Sequence, residues 1–255
     1  MTPAPTDPPA LVRLARHWRV LLEVTATFLA MAVCVELLIS FRQAAGAAAP
    51  PVRAAAVRPP APKPPAEPVS LAGAAVLGAK TATVGVLEFS DFQCPYCGAF
   101  ARDTEPALRK EYVETGKAVL AFRHLPLEQI HPFALGAAKA AACADGQGKF
   151  WPVHDALFEH QTGLEAASVR GLAKAAGLDL RRFDACLPGD GAARVGQDVA
   201  AARALGVTGT PTFFVGTMQP GGYLKVVSRV SGAVPMDQLR KLLDHVIAGI
   251  APGTK

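Results

Sequence analysis

The sequence predicts an α/β domain that carries an inserted helical block and sits behind one transmembrane helix and an Ala/Pro-rich linker. Three observations lead to this. Residues 69–255 alternate strand-like and helix-like patterning in the order β-α-β, a run of helices, then β-β-α. Ahead of them, residues 20–41 form a mostly apolar run of about 22 residues, enough to cross a bilayer core as a helix. Between the two, alanine and proline make up 18 of the 27 residues at 42–68, a composition with almost nothing to bury.

In chain order, residues 1–19 read as a short cytoplasmic head ending in Arg13, Arg16 and Arg19. The transmembrane anchor at 20–41 contains Glu23 and Glu36. An acid at the middle of a membrane helix costs about 2.5–3.5 kcal/mol, but both lie near the ends of the run, where they reach the interface. A buried core helix is the rival reading, and the linker that follows leaves it nothing to pack on. A cleaved signal peptide is another, with small residues at Ala45-Gly46-Ala47 or Ala47-Ala48-Ala49. The run is longer than the usual signal core, which favours an uncleaved anchor. Three arginines precede it closely, whereas only Arg42 lies as near on the other side, so the N-terminus is expected inside. The expected location is therefore a bacterial inner membrane, crossed once, with the folded domain facing the periplasm or extracellular side. Cys34, in mid-span, reads as lipid-facing or packing. The linker, stiffened by proline toward polyproline II at about 3.1 Å per residue, spans up to roughly 80 Å.

The folded domain is expected at 69–255. Val84, Val86, Leu87 and Phe89 give strand character to 83–90, helical spacing follows over 100–112, and a second strand is expected at 118–124. Pro132 opens a helical insertion at about 132–205, with helices at 133–144, 149–160, 166–176, 180–187 and 192–205 punctuated by glycines. Strands return at 212–215 and 224–230, joined by a hairpin through 219–222. Pro235 stands in the first turn of a closing helix that runs to about residue 247.

Composition narrows the function. The formal net charge is +5, but much of the excess lies in the N-terminal third, and no basic face with interleaved aromatics marks a nucleic-acid partner. Five cysteines in 255 residues do not make a disulfide-dense scaffold. Two of them, however, stand as Cys94-Pro95-Tyr96-Cys97, where a strand drops into a helix. Thiols separated by two residues at a helix N-terminus can close a disulfide across one turn. The first also feels the positive end of the helix dipole and unpaired N–H groups, which favour its thiolate. Half of a zinc site has the same spacing, but no second Cys-x-x-Cys or paired histidine follows. His124, His131, His154 and His160 include no pair four apart, so they read as caps, core partners and surface residues, and no metal or other cofactor is expected. Phe150, Trp151 and Phe158 read as core, while Phe92, Phe100 and Phe133 are candidates to line an apolar groove near Cys94.

The element order together with Cys94-Pro95-Tyr96-Cys97 resembles the thioredoxin fold with an inserted helical domain, as in DsbA-like thiol–disulfide oxidoreductases. A second marker is the segment from Gly206 to Val215, with Thr210-Pro211 opening a strand. The resemblance covers 69–255 and implies the following roles. Cys94 is the exposed nucleophile that forms a mixed disulfide with a client, and Cys97, one turn in and more buried, resolves it. Pro211 is cis and faces the pair, at a strand start where proline loses no ladder hydrogen bond. Thr210 offers its backbone to the client as a short strand pairing. Glu88, six residues before Cys94, is a buried acid that moves protons for Cys97, where the alternative is a surface carboxylate at a strand edge. Pro95 and Tyr96 tune the couple. The strongest oxidants of the family carry histidine at the Tyr96 position, so a potential between about −120 and −270 mV is expected. Threonine before the proline resembles the isomerase and reductase branches, which leaves the direction of flow open. Clients would be cysteine-containing secreted or periplasmic proteins, and a membrane redox partner would reset the pair. Cys143 and Cys186 both fall in the helical block, and in an oxidising compartment they are expected to pair, against the alternative of two buried free thiols.

Other readings are a glutathione-dependent transferase on a related fold, which usually carries a single serine or cysteine, and a non-catalytic interaction module. A copper-binding assembly factor would use the two thiolates as soft ligands and would want His124 or Met218 beside them.

Overall fold

A computed structural model describes residues 31, 33–37 and 64–250. Met31 and residues 33–37 are helical and exposed. The rest of the expected membrane run, the head, the possible cleavage sites and the linker up to residue 63 lie outside the described residues. Among those described, no helix is long and apolar enough to cross a membrane.

The domain is built on a six-stranded sheet. Its strands are β1 (Val69–Ser70), β2 (Ala75–Leu77), β3 (Val84–Ser90), β4 (Ala118–His124), β5 (Thr212–Gln219) and β6 (Tyr223–Ser231), in the spatial order β1-β6-β5-β3-β4-β2. Strand β3 lies inside, parallel to β4 and antiparallel to β5. All seven of its residues are buried, as a strand covered on both faces requires. Side chains alternate between those faces. Val84 and Val86 join Phe213, Val215 and the closing helix on one side, while Leu87 and Phe89 pack with Phe214 and Leu224 on the other. By the same alternation Glu88 projects toward the side of Val84 and Val86.

Helix α1 (Pro95–Asp103) follows β3, and α2 (Glu105–Leu108) continues into a π turn at Arg109–Val113. The single helix expected over 100–112 is thus broken at Thr104. Pro106 cannot donate to the carbonyl one turn back, and the Thr104 hydroxyl ties this point to the Val234 carbonyl at 2.9 Å. The insertion comprises α3 (Ala134–Asp145), α4 (Phe150–Glu159), α5 (Ala166–Ala175), α6 (Leu180–Cys186) and α7 (Asp190–Ala204). Helices α3 to α6 share a core with Phe92, Cys94, Cys97 and Phe122, so the insertion packs on the thiol motif itself. The closing helix α8 (Met236–Ile250) buries Leu239, Leu243 and Val246 at helical spacing against the sheet.

Cys143 of α3 and Cys186 of α6 form a disulfide with Cα atoms 5.8 Å apart. A buried ion pair ties the insertion to the sheet: Arg123 of β4 donates to Asp198 of α7 at 2.6 Å and also to the Ser70 and Ala72 carbonyls. Two edge strands, β1 and β2, were not expected, because segments of two and three residues carry no readable alternation. Strand β5 also runs past Val215 to Gln219. Gly216 sits at a register shift where any Cβ would run into the Lys225 carbonyl, so glycine is what lets the strand continue.

Candidate active site

The turn between β3 and α1 is held from beneath by Asp91. One carboxylate oxygen accepts from the Gln93 N–H at 2.7 Å, and the other from the Leu127 N–H at 2.8 Å and faces His131 Nδ1 at 2.7 Å. Cys94 then takes the N-cap position of α1 with extended backbone and no side-chain cap, and Pro95 occupies the first turn. Its sulfur is thereby left among the unpaired N–H groups of the helix start. A second clamp comes from the insertion. Gln161 donates from Nε2 to the carbonyls of Phe92 and Cys94, at 2.9 and 2.8 Å. A Cβ on Gly98 would collide with the Gln161 side chain, so the glycine after Cys97 makes room for this clamp.

Thr210-Pro211 is a cis peptide at the head of β5. It brings the Thr210 carbonyl to 3.4 Å from Cys94 Sγ, which donates to it as a thiol. This contact corrects the expectation of an exposed nucleophile: Cys94 is 4% exposed, covered by the Thr210 loop, and Cys97 is fully covered. Pro95 and Tyr96 are the parts of the motif that face solvent, Tyr96 at 65% exposure. Phe92 and Phe100, candidates for an open groove, are buried in the core, because the insertion and the closing helix pack over them. Phe133 is partly open, its N–H donating to Gln93.

The two thiols are made unequal. Cys94 is drawn down to about 5, chiefly because the Cys97 thiol donates to its thiolate. Burial opposes this, and the N–H groups of Cys97 and Tyr96 assist, while the nearby Thr210 hydroxyl has no hydrogen-bond partner. Burial pushes Cys97 well above the usual thiol range, with Cys94 and Glu88 adding to it. Glu88 is 1% exposed rather than at a surface edge, and burial raises it to about 8, with the Glu105 charge the next cause. The buried Ser90 hydroxyl opposes the shifts of Glu88 and Cys97 but meets hydrogen-bond geometry with neither. The site thus presents a nucleophilic thiolate, a second thiol that keeps its proton, and a carboxyl that holds one at neutral pH.

Sequence reasoning missed Gln161 and a charged cluster behind Glu88. In that cluster Arg109 donates to Glu105 at 2.8 Å and to both oxygens of Asp155 at 2.9 and 2.7 Å, while His154 Nδ1 lies 2.8 Å from Asp155. Ligand atoms of Glu105, His154 and Asp155 fall within 4.8 Å of one another. The Arg109 guanidinium already pairs with both carboxyl groups. The i,i+4 pair Glu105–Arg109 is readable from spacing, but its meeting with His154 and Asp155 is not, because those two come from a separate helix. Met218, considered as a copper ligand, pairs with Leu224 and packs beside Gly85, near the end of β3 remote from Cys94. His124 is enclosed by Phe92, Phe122 and Phe150.

Comparison with known proteins agrees with this architecture. A family model described as thioredoxin matches residues 71–244. Among solved structures, a thioredoxin-like oxidoreductase from Silicibacter pomeroyi is 30% identical, with a TM-score of 0.57 over 71% of this chain and 94% of that one. The α-DsbA1 of Wolbachia pipientis superposes with a TM-score of 0.63 at 22% identity, covering 71% of this chain and 94% of that one. BdbD from Bacillus subtilis gives 0.61 at 22% identity, covering 72% and 100%. The Na(+)/H(+) antiporter NhaA 3 of Salinispora tropica is 46% identical over 141 residues, which are 55% of this chain and 21% of that one. The chain therefore spans about a fifth of the length of the curated relatives it matches. The chain belongs to the thioredoxin family, in the DsbA-like form that carries helices inserted into the fold.

Proposed function

We propose that the protein is an exported, membrane-tethered thiol–disulfide oxidoreductase that oxidises or reshuffles disulfides in secreted proteins through Cys94 and Cys97. The observation that carries this reading is the inequality of the two thiols beside Thr210-Pro211. Cys94 is drawn down to about 5, and Cys97, one turn away and fully covered, is pushed up. A low-pKa thiolate is a good leaving group from a mixed disulfide, and a protonated partner waits until deprotonated to attack. Thr210, half-buried with its carbonyl on Cys94, offers backbone to an extended client segment. Pro211 shapes that approach, and the exposed Pro95 and Tyr96 tune the couple.

Tethering is supported by the apolar run at 20–41, of which residues 31 and 33–37 are helical. It also agrees with the occurrence of a similar segment within longer chains named as Na(+)/H(+) antiporters. We take the head at 1–19 to lie inside and the domain from residue 69 onward to face the periplasm or extracellular side, where a membrane redox partner resets the pair. The test is the equilibrium reduction potential of the purified chain against glutathione buffers. A transition between about −120 and −270 mV is expected. A value near the upper end makes the pair a disulfide donor, and one near the lower end a reductase or isomerase. Absence of any redox transition would remove the enzyme reading, and Cu(I) titration would then be the next measurement.

A further inference from the structure

We propose that Glu105, His154 and Asp155 form a proton path between the buried carboxyl of Glu88 and solvent, carrying the proton that Cys97 takes up or gives away in each exchange. This rests on the oxidoreductase reading. Glu88 sits in the middle of a strand whose seven residues are all buried, so it has no direct exchange with bulk water. Yet a base or acid serving Cys97 has to be reset every cycle.

Five buried polar atoms lack partners in this region: Glu88 Oε2, Glu105 Oε2 and His154 Nε2 along the path, and Ser90 Oγ and His124 Nδ1 beside it. Unpaired buried polar atoms are costly, and several together point to a use or to a shared water. Arg109 takes Glu105 Oε1 and both Asp155 oxygens, which leaves Glu105 Oε2 free and 3.8 Å from His154 Nε2. A small closure or one bridging water spans that gap. The His154 ring is held by Phe92, Phe122, Phe150, Trp151 and Phe158, with centroids 4.9–5.8 Å away, so its two nitrogens keep fixed directions. Nε2 faces inward to Glu105, and Nδ1 faces outward to Asp155 at 2.8 Å. The Asp155 side chain is 53% exposed. It opens on a surface cavity of about 500 Å³, lined also by Arg102, Glu105, Arg109, Glu114 and Glu159. The other titratable group packed nearby, His124 of β4, is lowered to about 3 by burial and stays neutral.

The chemistry balances. A client thiolate attacks Cys94, forming a client–Cys94 bond and breaking the Cys94–Cys97 bond, and the electron pair leaves on the Cys97 sulfur. The Glu88 proton passes to that sulfur, and Glu88 is reprotonated from solvent by way of the Asp155 carboxylate, His154 and Glu105. The second client thiolate then closes the client disulfide and expels Cys94 as a thiolate. The client loses two electrons, the pair gains them, and one proton travels the path. Run in reverse, the proton leaves by the same route. Glu105, His154 and Asp155 act through Glu88 and are positioning residues.

The test is rapid mixing of the oxidised full chain with a dithiol peptide at pH 5–9, in H₂O and D₂O, with acid quench and alkylation of the products. Glu105→Gln and His154→Phe should slow formation of the mixed disulfide, the step in which Cys97 leaves and takes up the proton, by at least roughly tenfold at neutral pH, enlarge the deuterium effect and flatten the pH profile. The Cys94 thiolate absorbance titration should stay in place, whereas a merely structural role would move it. Asp155→Asn, at the half-exposed mouth where folding is not at stake, should slow that formation step too, and Asp155→Glu should retain the rate. Wild-type rates in these variants while Glu88→Gln is slow would overturn the path and leave Glu88 with another outlet. Wild-type rates in all of them, Glu88→Gln included, would also overturn it. A wild-type chain that performs no exchange would instead remove the oxidoreductase reading, and the path with it.

Discussion

Replacing Glu88 by glutamine should stabilise the reduced protein at neutral and alkaline pH. The carboxyl is 1% exposed and raised from 4.5 to about 8. A raised acid contributes stability that is fully present below its unfolded value and is lost as pH rises through its folded value. At 1.36 kcal/mol per unit, the whole interval is worth roughly 5 kcal/mol, of which roughly 3 kcal/mol has gone by pH 7. The amide of Glu88→Gln cannot ionise, so that loss disappears, leaving only a pH-independent offset from the new side chain. The assay is urea denaturation of both reduced proteins at pH 4.5, 6, 7 and 8, with stability compared at equal denaturant slopes. The difference between variant and wild type should grow in the variant's favour by several kcal/mol across that range. Parallel stability curves would refute a buried, raised Glu88.

Three further outcomes follow from the same geometry. The thiolate absorbance of the reduced protein should appear with a midpoint near pH 5 from Cys94 alone, Cys97 remaining protonated beyond pH 9; a midpoint above 7 would contradict the helix-start and Cys97 contacts described here. Replacing Cys143 and Cys186 together by alanine should cost about 4 kcal/mol of stability, from the loop of 43-residue separation they close, while dithiol exchange at Cys94 and Cys97 persists. Asp198→Ala should cost roughly 3–5 kcal/mol by denaturant titration, because it strands Arg123 beneath α7 without its carboxylate; a loss below 1 kcal/mol would show that water reaches the guanidinium.

Most of the architecture was legible because long elements declare themselves. Strand β3, with its run of β-rich apolar residues, and the alanine-rich helices of the insertion carry their own period over seven or more residues. The edge strands β1 and β2 are too short for any period, and their places are set by partners on β6 and β4. The motif thiols were legible for a different reason, since Cys94 and Cys97 lie on one turn and meet through local geometry alone. The approach of Thr210-Pro211 to Cys94, 116 residues away, was legible only through the family resemblance, and how fully the Thr210 carbonyl covers the thiol was not. The same holds for Glu105 with His154 and for Gln161 with the Cys94 turn: each partner is an ordinary polar residue until the insertion folds back onto α1.

Gln161 has a consequence for how such proteins can be cut and recombined. The helical insertion looks like a module that could be exchanged for another at 132 and 205, since both joints are single passes of the chain. Its loop after α4, however, supplies both hydrogen bonds to the Phe92 and Cys94 carbonyls, and Gly98 is the residue that leaves space for them. A chimera built at those joints therefore inherits half of a lock from each parent. It keeps the register of the catalytic turn only when glutamine on the insert and glycine on the motif helix travel together.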